Sequence, residues 1–273
     1  MAFLRLILQV LGNFAMKIKD LLNYANEVLD AKNFKDVSLN GLQVEGVTEC
    51  SRIATAATAS LEAIRAAASH DVDVLLVHHG LLWKSQFMPV SGIYKERLFA
   101  ILEANMNLIA YHLPLDANYD FGNNRCLCEM LQLNSFDYIE PHNPLSIAMK
   151  GELSQPVSIR ELAGRLGAFL NSQVQVIGAE DDSRLIKTAA VCSGSGSFLL
   201  DDNPCPDFDA LVTGDINEQT FHNAAESGTA VFVLGHHASE QEGICRLGDR
   251  LAATFDLEHI NFRFYPEKTL RCY

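Results

Sequence analysis

The sequence predicts an α/β protein of two similar three-layer lobes, with mostly parallel sheets and a metal site in the cleft between them. Three observations carry that expectation. Apolar, strand-like runs alternate with amphipathic helical stretches. The same order of elements recurs in the second half of the chain. Paired histidines with carboxylates close by stand where the predicted strands end.

Residues 1–15, MAFLRLILQVLGNFA, read as an N-terminal extension. Their apolar run is too short to span a bilayer, and Arg5 and Ala15 make a poor secretion signal. From Met16, MKIKDLLNYANEVLD places Ile18, Leu21, Leu22, Ala25, Val28 and Leu29 on one helical face. RIATAAT (52–58) reads as a strand, SLEAIRAAASH (60–70) as a helix, and VDVLLVHH (72–79) as a strand buried on both faces. KERLFAILEAN (95–105) is helical, and MNLIAYH (106–112) is a third strand running into LPLDANYDFGNN. These make a first lobe over 16–134. SFDYIEPHNPLS has two prolines and no periodicity, so 135–145 reads as a linker and 146–273 as the second lobe.

In that lobe SIAMKGEL is a strand, and SIRELAGRLGAFL (158–170) is a helix opened by the capping box Ser158-x-x-Glu161. QVQVIG (173–178) is a further strand. RLIKTAAV (184–191) then resembles SRIATAAT, and DFDALVTGD (207–215) resembles DVDVLLVHH, with Asp209 lying 136 positions after Asp73. NEQTFHNAAESG (217–228) is helical, and TAVFVLGHHASE (229–240) takes the place of MNLIAYHLPLD. A duplication that sets two lobes face to face explains this order.

The chain has 273 residues, 48% of them hydrophobic, enough to bury sizeable cores. Lys and Arg number 21 against 34 Asp and Glu, and the formal charge of −13 disfavours nucleic acid and anionic membranes as partners. The seven cysteines are scattered and form no CxxC, which suits reduced thiols in a cytoplasm.

Candidate chemistry gathers at strand ends, where open α/β sheets bind ligands. His78-His79 end one strand, and His112 ends the next, with Asp116 following. Thr213-Gly214-Asp215 and His236-His237, with Glu240, do so in the second half. Imidazole and carboxylate without thiolate suit zinc, iron, manganese, nickel or cobalt. His236 and Glu240 are four apart and can grip one ion if a helix starts there. His237 falls out of that register and is left as a surrounding residue. His78 and His79 point to opposite sides of an extended chain, so each can serve one of two ions, with Asp116 or Glu240 bridging. Two divalent ions among three imidazoles and two carboxylates leave a local net charge of about +2, which attracts anions and activates water. SGSGS (193–197) is either a tight turn or an oxyanion cradle. Trp83 and Lys84 suit a nucleotide-like ligand or simple packing. His112, Asp215 and Glu218 are candidates to assist the site, Thr213 beside them.

NGLQV (40–44), LLVHHGLLWK (75–84), YHLPLDA (111–117), GNN (122–124), SGSGS, LVTGD (211–215) and GHHASE (235–240) occur in the order seen in the GTP cyclohydrolase I type 2 homologues. These are also known as Ngg-one-interacting-factor-three-like dinuclear metal proteins, and the chain resembles them over about residues 16–273. The resemblance implies two α/β lobes, two divalent ions and a ring-shaped homohexamer. It implies metal ligation by His78, His79, Asp116, His236 and Glu240, with His112 a neighbour. Where the family often carries Ser-Glu-His-Thr after TGDI, this chain has NEQT, so Gln219 replaces a histidine. The resulting expectation is a hydrolase acting on a nucleotide- or pterin-like anion. The alternative is a non-catalytic metal-binding or scaffold protein.

Overall fold

The computed structural model describes residues 16–84, 88–170 and 173–264. A short strand, β1 (Met16–Lys17), leads into helix α1 (Ile18–Val28). Strands β2 (Gly41–Val44), β3 (Glu49–Cys50) and β4 (Arg52–Thr58) precede α2 (Leu61–Ser69), whose first turn is capped by Ser60 accepting from Ala63 N. Then follow β5 (Val74–His79), α3 (Gly92–Glu103) and β6 (Asn107–Ala110). The LPLDA segment after β6 is a short helix, α4 (Leu113–Ala117), with Pro114 in its first turn, where a missing N–H costs nothing. Helix α5 (Asn123–Met130) and strands β7 (Leu133–Tyr138) and β8 (Met149–Ser158) come next. Helix α6 (Ile159–Leu170) starts where the capping box predicts, with Glu161 N donating to Ser158 Oγ. The remainder is β9 (Gln175–Ile177), β10 (Leu185–Ser195), α7 (Phe198–Asp201), β11 (Ala210–Asp215), α8 (Glu218–Ser227), β12 (Ala230–Val233), α9 (His236–Ser239), α10 (Gln241–Phe255) and β13 (Glu258–Asn261).

Two main sheets result, one of five strands in the order β13-β4-β5-β6-β2 and one of six in the order β7-β8-β10-β11-β12-β9. Helices cover both faces of each. Ile53 and Leu76 pack with Leu21 of α1 and Ile244 and Leu247 of α10, while Ala54, Leu75 and Val77 face Ile64 of α2 and Ile101 of α3. Val191 and Val212 meet α5 and α6 on one face of the second sheet, and Cys192 and Leu211 meet α7 and α8 on the other. Each fully buried Leu or Ile contributes roughly 1.5–3 kcal/mol.

Three expectations need correction. The first sheet is parallel except at β2, but in the second only β10-β11-β12 run parallel, and β7, β8 and β9 pair antiparallel. A chain that folds directly back, as between β7 and β8, can only pair that way. The expected linker at 135–145 is largely part of this hairpin, since Ser135–Tyr138 pair with Met149–Glu152. Finally, the assignment of all of 146–273 to the second lobe fails at its end. Strand β13 pairs parallel to β4, and Ile244, Leu247 and Leu251 of α10 complete the first core. A local strand-helix alternation does not encode which sheet receives its last strand. Residues 1–15 lie outside the described residues.

The internal repeat holds at the level of single atoms. Asp73 Oδ2 accepts from Ser51 N and Arg52 N at 2.8 and 3.0 Å, and Asp209 Oδ2 accepts from Lys187 N and Thr188 N at 2.8 and 3.0 Å. The same 136-residue offset relates all three pairs. Each carboxylate ties the start of its own strand to the start of the strand beside it. Asp73→Ala and Asp209→Ala each strand two backbone donors and are expected to cost about 1–3 kcal/mol, read as a lower urea midpoint.

Candidate metal centre

The strand ends of both sheets deliver the cluster. His78 and His79 close β5, Asp116 lies in α4 beyond β6, and His236 opens the single turn of α9 beyond β12, with Glu240 directly after it. Gly235 adopts φ +92°, which turns the chain from β12 into α9. Helix α9 ends at once, and Glu240 sits at its junction with α10, yet His236 Nε2 still lies 3.3 Å from Glu240 Oε1.

Glu240 is the meeting point. Its Oε1 is 3.4 Å from His78 Nε2, and its Oε2 is 3.5 Å from His79 Nε2. His78 Nε2 is also 3.6 Å from Asp116 Oδ2. Three donor groups follow, each with its ligand atoms within 4.8 Å of one another: His78–Asp116–Glu240, His79–His236–Glu240 and His78–His79–His112. The first two share Glu240, and the first is wholly buried.

The rings are oriented from behind. His78 Nδ1 donates to the Tyr111 carbonyl at 2.9 Å, and His236 Nδ1 to Asp215 Oδ2 at 2.7 Å. His112 Nδ1 donates to Asp36 Oδ1 at 2.9 Å, and His79 Nδ1 lies 3.5 Å from Thr58 Oγ1. Pinning Nδ1 fixes the tautomer and leaves Nε2 as the lone-pair nitrogen, the arrangement found behind metal-binding histidines. Asp116 is held likewise, with Oδ1 accepting from Asn123 Nδ2 and Ser193 Oγ, both at 2.8 Å.

Of the assisting candidates, Asp215 and His112 are in place. Thr213 is buried and braces the loop after β10, accepting from Gly196 N and donating to Gly194 O. Glu218 is exposed at the start of α8 and belongs to none of the three groups, and Gln219 donates to the Asp201 carbonyl. His237 turns away, donating from Nε2 to the Phe264 carbonyl. The SGSGS segment is a brace, because three of its amides are engaged in packing the site together. Ser193 N donates to Asn124 Oδ1, Gly194 N to Ser239 Oγ and Gly196 N to Thr213 Oγ1. Gly194 has φ +62°, and a Cβ there would strike Glu240 Oε1.

Several functional residues carried no role in the sequence reading. Asp36, preceded by no signal, accepts from His112, Ser38 N, Asn40 and Leu113 N. Asn40 and Gln43 belong to NGLQV. Asn40 Oδ1 takes His112 N, and Gln43 Oε1 takes Leu81 N and Leu82 N. Asn123 and Asn124 of GNN join Asp116 to the second sheet's Ser193 and to Gly243 of α10.

The family model described as Duf34/NIF3 (NGG1p interacting factor 3) matches residues 16–269. The chain belongs to this family. A Pseudomonas aeruginosa relative named GTP cyclohydrolase 1 type 2 homolog is 37% identical over 246 residues, covering 90% of this chain and 96% of its own. Among solved structures, ybgI, a structural-genomics protein of unknown function, matches with 34% identity and a TM-score of 0.84, covering 90% of this chain and 98% of its own. A Thermus thermophilus protein matches with 33% identity and a TM-score of 0.82, covering 92% and 99% respectively.

The donors of this Duf34/NIF3 chain suit divalent ions. His78 Nε2 and Glu240 Oε2 are buried without a hydrogen-bond partner, a costly state for a lone pair and a carboxylate oxygen unless a cation meets them. Burial works to lower the His78 pKa, but Asp116 and Glu240 outweigh it and raise it to about 9. Glu240, its hydrogen bonds and Asp215 raise His236 to about 9 despite burial. Burial and the charge of His78 push His79 down to about 3. Burial would raise Glu240, yet the surrounding imidazoles hold it well below the usual carboxylate range, whereas burial raises Asp116.

Protons therefore compete with metal at His78 and His236. In the metal-free fold, their imidazolium forms give stability that is full below pH 6.5 and lost as pH rises through about 9. Metal affinity has the opposite slope: it should climb from pH 6.5 to 9, with protons released on loading at pH 7. Competition against a chromophoric chelator across that range measures it. His78→Ala and Glu240→Ala are expected to lose bound metal while keeping the wild-type far-UV circular dichroism, with metal content read by elemental analysis.

Proposed function

We propose that the chain is a divalent-metal-dependent hydrolase acting on a nucleotide- or pterin-like substrate. The observation that carries this reading is the pair of three-donor groups sharing the buried Glu240. On this reading His78, Asp116 and Glu240 hold one ion, and His79, His236 and Glu240 the other. When bound, such a pair supplies Lewis acidity and brings the ionisation of water close to neutral pH. The chain's own part is orientation. Asp215, the Tyr111 carbonyl and Asp36 hold His236, His78 and His112 at Nδ1, and Asn123 with Ser193 holds Asp116. The curated relatives named GTP cyclohydrolase 1 type 2 homolog support the substrate class.

The assembly proposed with this function is a homohexameric ring in the cytoplasm. Exposed Met88, Val90, Ile93, Phe99 and Leu102 support burial against further copies. Free cysteines throughout the described residues support a reducing compartment. No described helix is long and apolar enough to cross a membrane.

A screen of nucleotides, pterins and phosphoesters against zinc-, manganese-, iron- and nickel-loaded protein tests the function. Turnover of a base-containing compound that falls at least about a hundredfold in His78→Ala is the expected result. Equal turnover by both proteins assigns any activity to a contaminant.

A further inference from the structure

The donor cluster has a floor and a mouth. The side chains of His78, Asp116 and Glu240 are 0%, 8% and 3% exposed, whereas those of His236, His79 and His112 are 41%, 18% and 17% exposed. A ligand therefore reaches the cluster across the His236–His79–His112 side. Trp83 stands on that side, its ring centroid 6.0 Å from His79 and 5.3 Å from His112. It is the chain's single tryptophan, and it is half-buried and belongs to none of the four apolar cores.

Its setting is rigid. The indole N–H donates to the Gly80 carbonyl, and Gln43 Oε1 clamps Leu81 N and Leu82 N. Leu39 N donates to Leu82 O, and Lys84 N to Val37 O. Gly80 leaves no room for a Cβ against the Gln43 side chain. Lys84 Nζ is fastened at 2.9 Å to the carbonyl of Asp36, the residue whose side chain holds His112. An ammonium keeps two further donors when one is engaged, which gives this acidic protein a local cation for an anionic group.

We propose that Trp83 is a specificity-determining residue, an aromatic wall at the mouth of the cluster that stacks a planar heteroaromatic base of the substrate, with Lys84 taking an attached anion. This rests on the hydrolase reading for its substrate class, but it concerns binding and is tested without turnover. A fixed indole beside solvent-facing imidazoles offers a π-face without the ordering cost of a mobile side chain, and every nucleobase or pterin has a matching face.

The test titrates metal-loaded protein with guanosine 5′-monophosphate and with ribose 5-phosphate, which differ by the base alone. Affinity is read by calorimetry, and the fluorescence of Trp83 reports contact in the wild type. The nucleotide is expected to bind at least about tenfold more tightly than the sugar phosphate and to quench the indole. In Trp83→Ala that advantage disappears at unchanged metal content, and in Trp83→Phe most of it returns. Nucleotide binding undiminished in Trp83→Ala, or no preference for the nucleotide in the wild type, overturns the proposal. A preference present together with no turnover of any compound in the substrate screen leaves it standing and removes the hydrolase reading instead.

Discussion

A carboxylate buried among imidazoles is the constraint on which the site depends. Glu240 lies where an isolated ionised carboxylate costs several kcal/mol, and three histidine nitrogens within 3.3–3.5 Å offset that cost. Its position requires the helix break between α9 and α10, a glycine at 194, and the Ser239 hydroxyl that fastens the SGSGS loop from below. The loop that resembles an anion cradle thus gives three of its amides to packing around the cluster.

Orientation is distributed over both sheets. Each histidine nitrogen that faces the cluster is paired with a partner on the far side of its ring: a backbone carbonyl, a hydroxyl or a carboxylate. Asn123 and Asn124 carry the same role to Asp116 and reach Ser193 and Gly243 at once. One dipeptide therefore locks the first sheet's carboxylate to the second sheet's loop and to α10. Such pre-set donors spend little entropy when a cation or ligand arrives.

The repeat explains how one site draws on two sheets. The Asp73 and Asp209 devices match atom for atom at the strand starts, while the strand ends have diverged. Asp215 stands 136 residues after His79. The first half presents an imidazole there, and the second presents the carboxylate that orients His236. The return of α10 and β13 to the first sheet then ties Glu240, which precedes α10, to the core that carries His78.

Alternating hydrophobic periods and two HH pairs at strand ends made the α/β class and the strand-end side chains that cluster legible, because periodicity and side-chain chemistry are local properties. The capping box before α6 was legible for the same reason. Asp36, Asn40, Gln43 and the GNN asparagines were not, since their worth lies in backbone and side-chain partners some 7 to 120 residues away. The sequence by itself determined which atoms are offered: nitrogen and oxygen donors, at the ends of strands, in an acidic chain. Only the tertiary structure decided that Glu240 is the shared centre, that the glycine-rich loop is a brace, and that the last strand belongs to the first sheet. Those outcomes follow from which groups burial leaves unpaired, and pairing across a core is set by distance in space, which no local pattern carries.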